Sequence, residues 1–376
     1  MTGLFVTGCG TFLPLYATQP LLPQFRQIFQ ASEVMVSLTV SAPILVVALV
    51  APLAGLLADT LGRKRVIVAA MLGLTLPTFL AGTSASLGQL IAWRLLQGFF
   101  IPGILAVAIA YISEESSYET VGSTMAIYVT GTVVGGFSGR FIAGLAEPYW
   151  GWRNTFFVLG SITLVAALAV WRLLPRSTTF VRQKKAGGAF KSIRAHMRNP
   201  QLLATYAVGF NVLFCLVGAF TYVNFYLADK PFFLGSAALG SIFGVYLIGA
   251  VITPVAGRIL DRVGHRRTLV GAVAMSATGM VLTMVRSVPV IIVGLTLEAS
   301  GVFICQSASS SHVGWAAREG RSSAAGIYVS FYYLGGCLGS IIPGFFWKQA
   351  GWPSCVGIFI CMQLLAVLIA YRFWHD

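Results

Sequence analysis

Long apolar runs dominate the chain, and short polar segments separate them. The run from Ile44 to Leu57 contains no charged residue and shows no alternation of polar and apolar positions. A hydrocarbon core about 30 Å thick needs roughly 20 apolar residues per helix, whereas the strands of a membrane barrel alternate over about ten positions. The pattern therefore predicts membrane-spanning helices rather than barrel strands.

Twelve spans of this kind fit the 376 residues of the chain with short connections between them. Their apolar length predicts an all-α integral membrane protein with 12 transmembrane helices. The predicted spans are residues 3–23, 36–57, 66–84, 87–112, 121–146, 153–172, 201–228, 236–256, 268–285, 288–312, 323–346 and 354–374.

The overall composition agrees with a membrane protein. Hydrophobic residues make up 57% of the chain and charged residues only 10%, with a mean hydropathy of +0.83. A soluble domain with so few charged residues would not cover its surface with polar atoms. Lipid is therefore the expected solvent, and the bilayer an expected partner.

Lys and Arg are distributed unequally between the connections on the two sides of the predicted spans. If the first residue is cytoplasmic, 18 of the 25 fall in inner connections and five in outer ones. Because cytoplasmic loops carry an excess of these residues, both termini are predicted to face the cytoplasm of a plasma (inner) membrane. Topology then explains the net charge of +14, and nucleic acid is not an expected partner.

One long basic segment divides the predicted spans into two groups of six. We predict six-helix bundles at residues 1–172 and 201–376, joined by a cytoplasmic linker at 173–200. The linker is either a solvated loop or a segment that rests on anionic headgroups. All six cysteines lie inside predicted spans without metal-ligand spacing, so we expect no disulfide, metal or cofactor. The protein is expected to be a monomer.

Two sequence patterns occur once in each half. Residues 55–65 and 257–267 both read Gly-x-x-x-Asp-x-x-Gly followed by a basic cluster. Residues 127–152 recur at an offset of 200 as 327–352, with Ile-Tyr-Val, a Gly-Gly pair and a final Gly-Trp in both copies. Spans five and eleven are therefore predicted to be equivalent helices of two parallel six-helix repeats, with a substrate site near mid-membrane at the repeat interface.

These motifs, together with Arg-Leu-Leu-Gln-Gly at residues 94–98, resemble the major facilitator superfamily, most closely its twelve-span drug and metabolite proton-antiporter branch. The resemblance covers the whole chain and implies a secondary transporter that works by alternating access and exports its substrate against protons. One departure is Gly135-Gly136, where the antiporter motif has Gly-Pro, and it bears on export rather than on the fold. An ion gradient is the expected energy source, because the sequence contains no nucleotide-binding Gly-x-x-x-x-Gly-Lys-Ser/Thr.

The repeated loops are expected to form a cytoplasmic gate. Asp59 and Asp261 would face the positive ends of neighbouring helices, which the resemblance identifies as the starts of spans eleven and five. The alternative is local, since Asp59 can cap its own turn and Arg63 can follow the inside-positive bias. The expected gating residues are Gly55, Asp59, Arg63, Glu114, Glu115, Asp261, Arg266 and Glu319, with Arg63 paired to Glu114 or Glu115 and Arg266 to Glu319.

Three ionisable residues lie inside the predicted spans, where a charge costs about 2.5 to 3.5 kcal/mol even on permissive scales. The resemblance associates Arg94 with proton coupling, whereas a structural arginine would bond helix carbonyls. Arg140 stands where the second repeat has Ser340, so it either binds an anionic or carbonyl-bearing substrate or extends toward the outer interface. Glu298 either carries the coupling proton, because burial favours its neutral form, or is a packing element.

Polar and aromatic residues in spans one, five, seven and eleven are candidates for substrate binding, because lipid penalises polar groups and rings add contact area. We predict proton-coupled export of a small amphipathic or weakly anionic compound, with proton-coupled uptake of an organic anion as the alternative. A membrane receptor or enzyme is the alternative from a different class, although the spans lack the paired acids or histidine cluster of an enzyme. The expected substrate-binding residues are Tyr16, Gln19, Arg140, Asn211, Tyr222, Asn224, Tyr328 and Tyr332.

Overall fold

The computed structural model of the chain describes residues 1–117, 119–175, 195–317 and 321–374. Side chains are described for all of these except 52–61, 250, 253–259, 261 and 321–322.

Helices account for nearly all of the described chain, and it contains no strand. The first half comprises α1 (Thr2–Leu15), a 3-10 turn (Gln19–Leu21), α2 (Leu22–Ile28), α3 (Glu33–Leu61), α4 (Arg63–Ala81), α5 (Leu87–Glu115) and α6 (Val121–Leu173). The second half comprises α7 (Pro200–Ala228), α8 (Ser236–Ile242), α9 (Val245–Val263), α10 (His265–Leu282), α11 (Val288–Ala316), α12 (Arg321–Ile341), α13 (Pro343–Ala350) and α14 (Trp352–Phe373).

The predicted all-helical membrane fold is confirmed. Eight helices of the described chain are long and apolar enough to cross a membrane. Helix α6 contains two of the predicted spans, because Gly151 has a φ of 73° and a ψ of 160° and separates spans five and six. Predicted spans eight and eleven each consist of two helices, α8 with α9 and α12 with α13.

The first predicted span, residues 3–23, is wrong as a continuous helix. Helix α1 ends at Leu15, and the chain continues through the 3-10 turn and α2 as far as Ile28. Pro20 and Pro23 explain the break, because proline lacks the N–H that would bond the preceding turn and clashes with its carbonyl. The interruption leaves polar backbone groups within the membrane-spanning region, and other groups must satisfy them.

The repeated sequence, which is predicted to be a loop, contains a one-residue turn in both copies. Helix α3 continues to Leu61 and α4 begins at Arg63, so Gly62 alone changes the chain direction with a φ of 90°. Gly264 does the same between α9 and α10 with a φ of 87°. A side chain at either position would be strained, which explains why the last glycine of the motif is needed.

The helices form two compact units. Unit 1 contains α1 to α6 together with residues 235–243, which include α8. Unit 2 contains α7 and α9 to α14. The predicted domain boundaries at 172 and 201 stay a prediction, and residues 176–194 of the predicted linker lie outside the described residues.

In unit 1, a line of small residues brings α1 and α6 into backbone contact. Gly131, Gly135 and Gly139 are spaced at four residues and lie on one face of α6. A Cβ added to Gly135 would lie 2.2 Å from the carbonyl oxygen of Cys9, and one added to Gly139 would lie 1.8 Å from that of Leu13. Close approach through small residues is the usual packing of membrane helices.

Unit 2 repeats this packing with α12 and α7. A Cβ on Gly335 would lie 2.0 Å from the carbonyl oxygen of Phe210, and one on Gly339 would lie 2.3 Å from that of Phe214. These two glycines follow those of α6 by the same 200 residues found in the sequence. The internal repeat is therefore a repeat of helix packing as well as of sequence.

Candidate functional site

Arg94 is completely buried and directs its guanidinium at main-chain carbonyl groups. Its Nε donates to the carbonyl of Thr39 at 2.8 Å, and its terminal nitrogens donate to Pro14 at 2.7 Å and to Leu15. A terminal nitrogen also donates to the Oε1 of Gln97. Arg94 thus satisfies carbonyl groups at the end of α1, where the helix breaks. These contacts match the structural alternative that the sequence left open.

Arg140 is buried in unit 1, with a relative exposure of 3%, and contacts two of the predicted substrate-binding residues. Its Nε donates to the Oε1 of Gln19 at 2.7 Å, and its NH1 donates to the carbonyl of Gly136 at 2.8 Å. The guanidinium carbon lies 4.5 Å from the ring centre of Tyr16 and 4.6 Å from that of Phe243. Arg140 therefore points into the protein rather than toward the outer interface.

The two arginines act on the same stretch of chain. Arg94 holds the carbonyls of residues 14 and 15, and Arg140 contacts residues 16 and 19 directly afterwards. The break in α1 therefore exposes a tyrosine ring and an amide to Arg140. An arginine over aromatic faces is attracted to them electrostatically, and its flat guanidinium suits carboxylate binding. We call Tyr16, Gln19, Arg140 and Phe243 the Arg140 cluster.

Glu298 of α11 is completely buried, and neither of its carboxyl oxygens has a hydrogen-bond partner among the described residues. Helix α10 packs tightly beside it, since a Cβ on Gly279 would lie 2.6 Å from the backbone nitrogen of Glu298. Buried polar groups are almost always hydrogen-bonded, so an acid with two unsatisfied oxygens requires an explanation. An ionised carboxylate is very costly there, and the neutral acid is the less costly form.

A small cavity of about 20 Å³ lies within unit 2, lined on α7, α10, α11 and α14. Its lining includes Asn211 and Gln363, whose side-chain oxygens are buried without a partner among the described residues. Val302 and Cys305 of the same lining lie on the face of α11 that carries Glu298, by helical spacing. The volume accommodates about one water molecule and excludes a larger substrate.

Two of the predicted substrate-binding residues of α7 bond to the protein itself. The hydroxyl of Tyr222 donates to the carbonyl of Ser340 at 3.0 Å, and the ring packs 6.1 Å from that of Trp347. The amide of Asn224 donates to the carbonyl of Phe220, one turn earlier in the same helix. These contacts stabilise unit 2.

The predicted tyrosines of α12 belong to a larger aromatic group. Tyr328 and Tyr332 stack with ring centres 5.9 Å apart, and the Tyr328 hydroxyl bonds that of Ser309 at 2.7 Å. Sequence reasoning missed Tyr206, which stacks on Phe331 at 5.6 Å and whose buried hydroxyl has no partner among the described residues.

One ion pair links the first repeated motif to the end of α5. The Nε and NH2 of Arg63 donate to the two carboxylate oxygens of Glu114 at 3.1 and 2.7 Å. In the second copy, the NH2 of Arg266 donates to the carbonyls of Tyr371 and Trp374, at 2.7 Å each. Arg266 therefore caps the end of α14.

Four further predicted gating residues lie outside the described residues or the described side chains. They are Gly55, Asp59, Asp261 and Glu319, and their gating roles stay predictions. Glu115 ends α5 next to Glu114. Among the described residues, no group of three His, Cys, Asp or Glu side chains is placed to hold a metal ion.

The sequence profile described as Major Facilitator Superfamily matches residues 4–232 and, again, residues 230–376. The chain belongs to the major facilitator superfamily. The predicted family is thereby confirmed, and the protein is a multi-pass membrane transporter rather than an enzyme. Each of the two matched ranges contains one copy of both repeated motifs.

Full-length relatives agree with this assignment. The inner membrane transport protein YnfM of Escherichia coli (strain K12) is 31% identical over 97% of this transporter and 88% of its own length. The uncharacterized MFS-type transporter YybF of Bacillus subtilis (strain 168) is 30% identical over 97% of this transporter and 91% of its own length. The solved structure of the nucleoside transporter NupG has a TM-score of 0.81 at 14% identity, covering 100% of this transporter and 99% of that chain. This last likeness concerns the fold.

Proposed function

We propose that this transporter exports a small amphipathic or weakly anionic compound in exchange for protons, by alternating access. The observation that supports the substrate class is the Arg140 cluster, in which a buried guanidinium lies against Tyr16 and Phe243 and bonds Gln19. Rings offer contact area to the apolar part of a substrate, and the positive charge of the guanidinium attracts a carboxylate or carbonyl group. Asymmetry supports this role, since the second repeat has Ser340 instead of an arginine.

Glu298 is the proposed carrier of the coupling proton. Its complete burial and unsatisfied oxygens favour a group that is neutral in this conformation and ionises when another conformation admits water or a cation. Arg94 is the competing candidate by its sequence motif. Its guanidinium bonds backbone carbonyls, which indicates a structural role, so we assign proton coupling to Glu298.

The cytoplasmic gate is proposed to include both copies of the repeated turn. The fork between Arg63 and Glu114 supports this for the first copy, because it fixes the start of α4 to the end of α5. Both termini are proposed to be cytoplasmic in the plasma (inner) membrane, and the transporter is proposed to work as a monomer. Uptake of an organic anion remains the second candidate, since the same cluster would bind it.

A ligand screen tests the substrate class. Purified transporter is heated with members of three libraries, namely organic anions, sugars and hydrophobic cations, because a ligand of the native state raises its thermal stability. We expect stabilisation by organic anions or carbonyl-bearing amphipaths, and loss of that stabilisation in Arg140→Ser. Stabilisation by hydrophobic cations alone would contradict the proposal.

Proteoliposomes test coupling and direction with a compound found in that screen. Glu298→Gln keeps shape and removes titration, so it should abolish gradient-driven accumulation but permit exchange at equal concentrations. Ser300→Ala is the matched control, because Ser300 lies two residues along α11 and its hydroxyl is also buried without a partner among the described residues. Uphill transport by the Gln variant with the parent's pH dependence would exclude Glu298 as the carrier. Accumulation in the direction of proton flow would establish uptake instead of export.

A further inference from the structure

Helices α5 and α11 are equivalent members of the two repeats. Each has 29 residues, Leu87–Glu115 and Val288–Ala316, so their positions correspond at an offset of 201. Gln97 of α5 then corresponds to Glu298 of α11, and Arg94 corresponds to Leu295. The proposed proton carrier therefore stands where the first repeat has a neutral amide.

In unit 1, two side chains bond the amide of Gln97, which is completely buried. A terminal nitrogen of Arg94, one turn earlier in α5, donates to its Oε1. Its Nε2 in turn donates to the Oγ1 of Thr78 in α4 at 3.0 Å. The amide thus has a partner at both its oxygen and its nitrogen, as buried polar groups normally do.

In unit 2, the residues at the two partner positions cannot bond the side chain of Glu298. Leu295 is completely buried and apolar. Gly279 corresponds to Thr78 at the same offset of 201, and it contacts Glu298 as Thr78 contacts Gln97. A Cβ on Gly279 would lie 2.6 Å from the backbone nitrogen of Glu298, so no larger side chain fits there. The acid therefore lacks both partners that the first repeat provides.

Two thiols lie near the acid but do not compensate its charge. Cys215 of α7 and Cys305 of α11 are close enough to Glu298 to interact with it electrostatically. Their sulfur atoms lie 3.7 Å from the carbonyl oxygen of Phe359 and 4.0 Å from that of Leu269. A thiol is neutral and a weak donor, so neither cysteine replaces an arginine.

The charged residues of the helices packed against α11 lie at other depths. Helix α7 contains none, and those of α9 are Arg258, Asp261 and Arg262, all within its last two turns. In α10, Arg267 precedes Gly279 by 12 residues, which is about 18 Å at 1.5 Å per residue. The sequence therefore places no cation at the level of Glu298 on these helices.

The second repeat also lacks the broken helix end that Arg94 bonds in the first. Residues 14 and 15, whose carbonyls accept from Arg94, correspond at the same offset to residues 215 and 216. Helix α7 continues through these residues to Ala228, so their carbonyls can bond within the helix. A guanidinium introduced by Leu295→Arg would therefore have Glu298 as its acceptor rather than the carbonyls of a broken helix.

We propose that Leu295 and Gly279 are positioning residues for proton coupling, because they leave Glu298 without the partners that the first repeat provides. A buried charge is tolerated only when it is paired, so an acid without a partner must carry a proton to stay buried. A donor at position 295 would stabilise the ionised acid, and burial would no longer require the proton. The inference rests on the proposed role of Glu298 and extends it to the residues that make this role possible.

A double-mutant cycle tests the pairing without a substrate. The midpoint of thermal unfolding in detergent is measured for the parent, Leu295→Arg, Glu298→Met and the double variant. Glu298→Met should raise the midpoint, because an apolar side chain of similar size replaces an acid without a partner. The double variant should unfold at least about 3 °C below Leu295→Arg, because removing one member of a buried ion pair leaves the other uncompensated.

Transport measures whether the missing partner matters for coupling. In proteoliposomes, with the organic anion that gives the largest shift in the thermal screen, Leu295→Arg should lower gradient-driven accumulation at least about tenfold and permit exchange at equal concentrations. This size follows because an opposite charge in contact favours an ionised carboxyl by at least about tenfold. Leu295→Met is the conservative variant and should retain accumulation. Leu295→Gln adds a neutral donor of similar size and should also lower accumulation, and it replaces Leu295→Arg in both measurements if that variant does not fold.

Three results would overturn the inference. Equal midpoints of Leu295→Arg and the double variant would show that position 295 does not face the acid. Parent-like accumulation in Leu295→Arg, with loss in Glu298→Gln, would show that coupling does not need the missing partner. Loss of accumulation in Leu295→Met would assign the leucine a packing role. Failure of the proposed function has a different signature, since Glu298→Gln itself would then retain uphill transport, and the inference would fall with it.

Discussion

The Nε of Arg140 donates a hydrogen bond of 2.7 Å to the Oε1 of Gln19, which lies 121 residues earlier in the chain. At the equivalent position of the second repeat, Ser340 instead bonds the carbonyl of Cys337 in its own helix at 2.8 Å. The arginine of the first repeat therefore contacts the broken first span, whereas the serine of the second repeat bonds only within its own helix. This difference between the repeats is part of the argument for a substrate site at Arg140.

Replacing Arg140 should weaken ligand binding, and the loss should be larger when the positive charge is removed as well as the guanidinium shape. Arg140→Lys keeps the charge but loses the flat fork and ring stacking, so the affinity for an anion found by thermal screening should fall at least about tenfold, or about 1.4 kcal/mol. Arg140→Ser should abolish detectable binding. Calorimetric titration measures both, with the exposed Arg153→Lys of the same helix as the control. Unchanged affinity in Arg140→Lys would show that a charge alone suffices.

Arg94 should matter chiefly for stability. Arg94→Ala removes the N–H groups that donate to the carbonyls of Thr39, Pro14 and Leu15. Hydrogen bonds to charged groups contribute about 1.5 to 3 kcal/mol each, so the free energy of unfolding should fall by at least about 3 kcal/mol. Arg94→Lys should be intermediate, because one ammonium group does not reach all three carbonyls. The midpoint of thermal unfolding in detergent measures the loss of stability, and Arg286→Ala is the control because Arg286 is exposed. A parent-like midpoint with lost coupling would instead support the role implied by the sequence motif.

Adding one methyl group at the contact between α1 and α6 should be costly. A Cβ at Gly139 would lie 1.8 Å from the carbonyl oxygen of Leu13, so Gly139→Ala must force the helices apart. We expect a loss of about 1 to 3 kcal/mol, typical of overpacking. Gly122→Ala in the same helix meets no atom within 4 Å and should be neutral or slightly stabilising, because alanine favours helix. Equal unfolding midpoints for Gly139→Ala and Gly122→Ala would contradict the close contact between α1 and α6.

Orientation is checked by labelling the predicted linker. Because inner connections hold 18 of the 25 Lys and Arg, Ser192→Cys should react with an impermeant thiol reagent only in inside-out vesicles. A cysteine at exposed Tyr149, in the predicted outer connection, should show the opposite behaviour. Reaction of Ser192→Cys in intact cells would reverse the topology.

Membrane class, helix content and duplication were determined by the sequence itself. Apolar length and repeated motifs are local properties. In lipid only helices and closed barrels satisfy the backbone, and long runs without alternation are typical of helices. The Gly-Gly and Gly-Trp repeats at an offset of 200 also identified equivalent helices, which the structure packs in the same way. Helix boundaries were less accurate, because the single glycine turns at residues 62 and 264 occupy less chain than a loop.

Only the tertiary structure decided what the buried polar groups contact. Arg94 and Arg140 both occur in apolar spans, yet one bonds carbonyls at the end of α1 and the other bonds an amide beyond the break. Glu147 stood at a predicted span end and so resembled a solvated residue, whereas donors from α2 and α8 bury it. Its partners are 123 and 89 residues away in the sequence, and no local periodicity encodes a contact at that distance. The partners of a buried polar group depend on which helices become neighbours, and that is settled by packing across the whole chain.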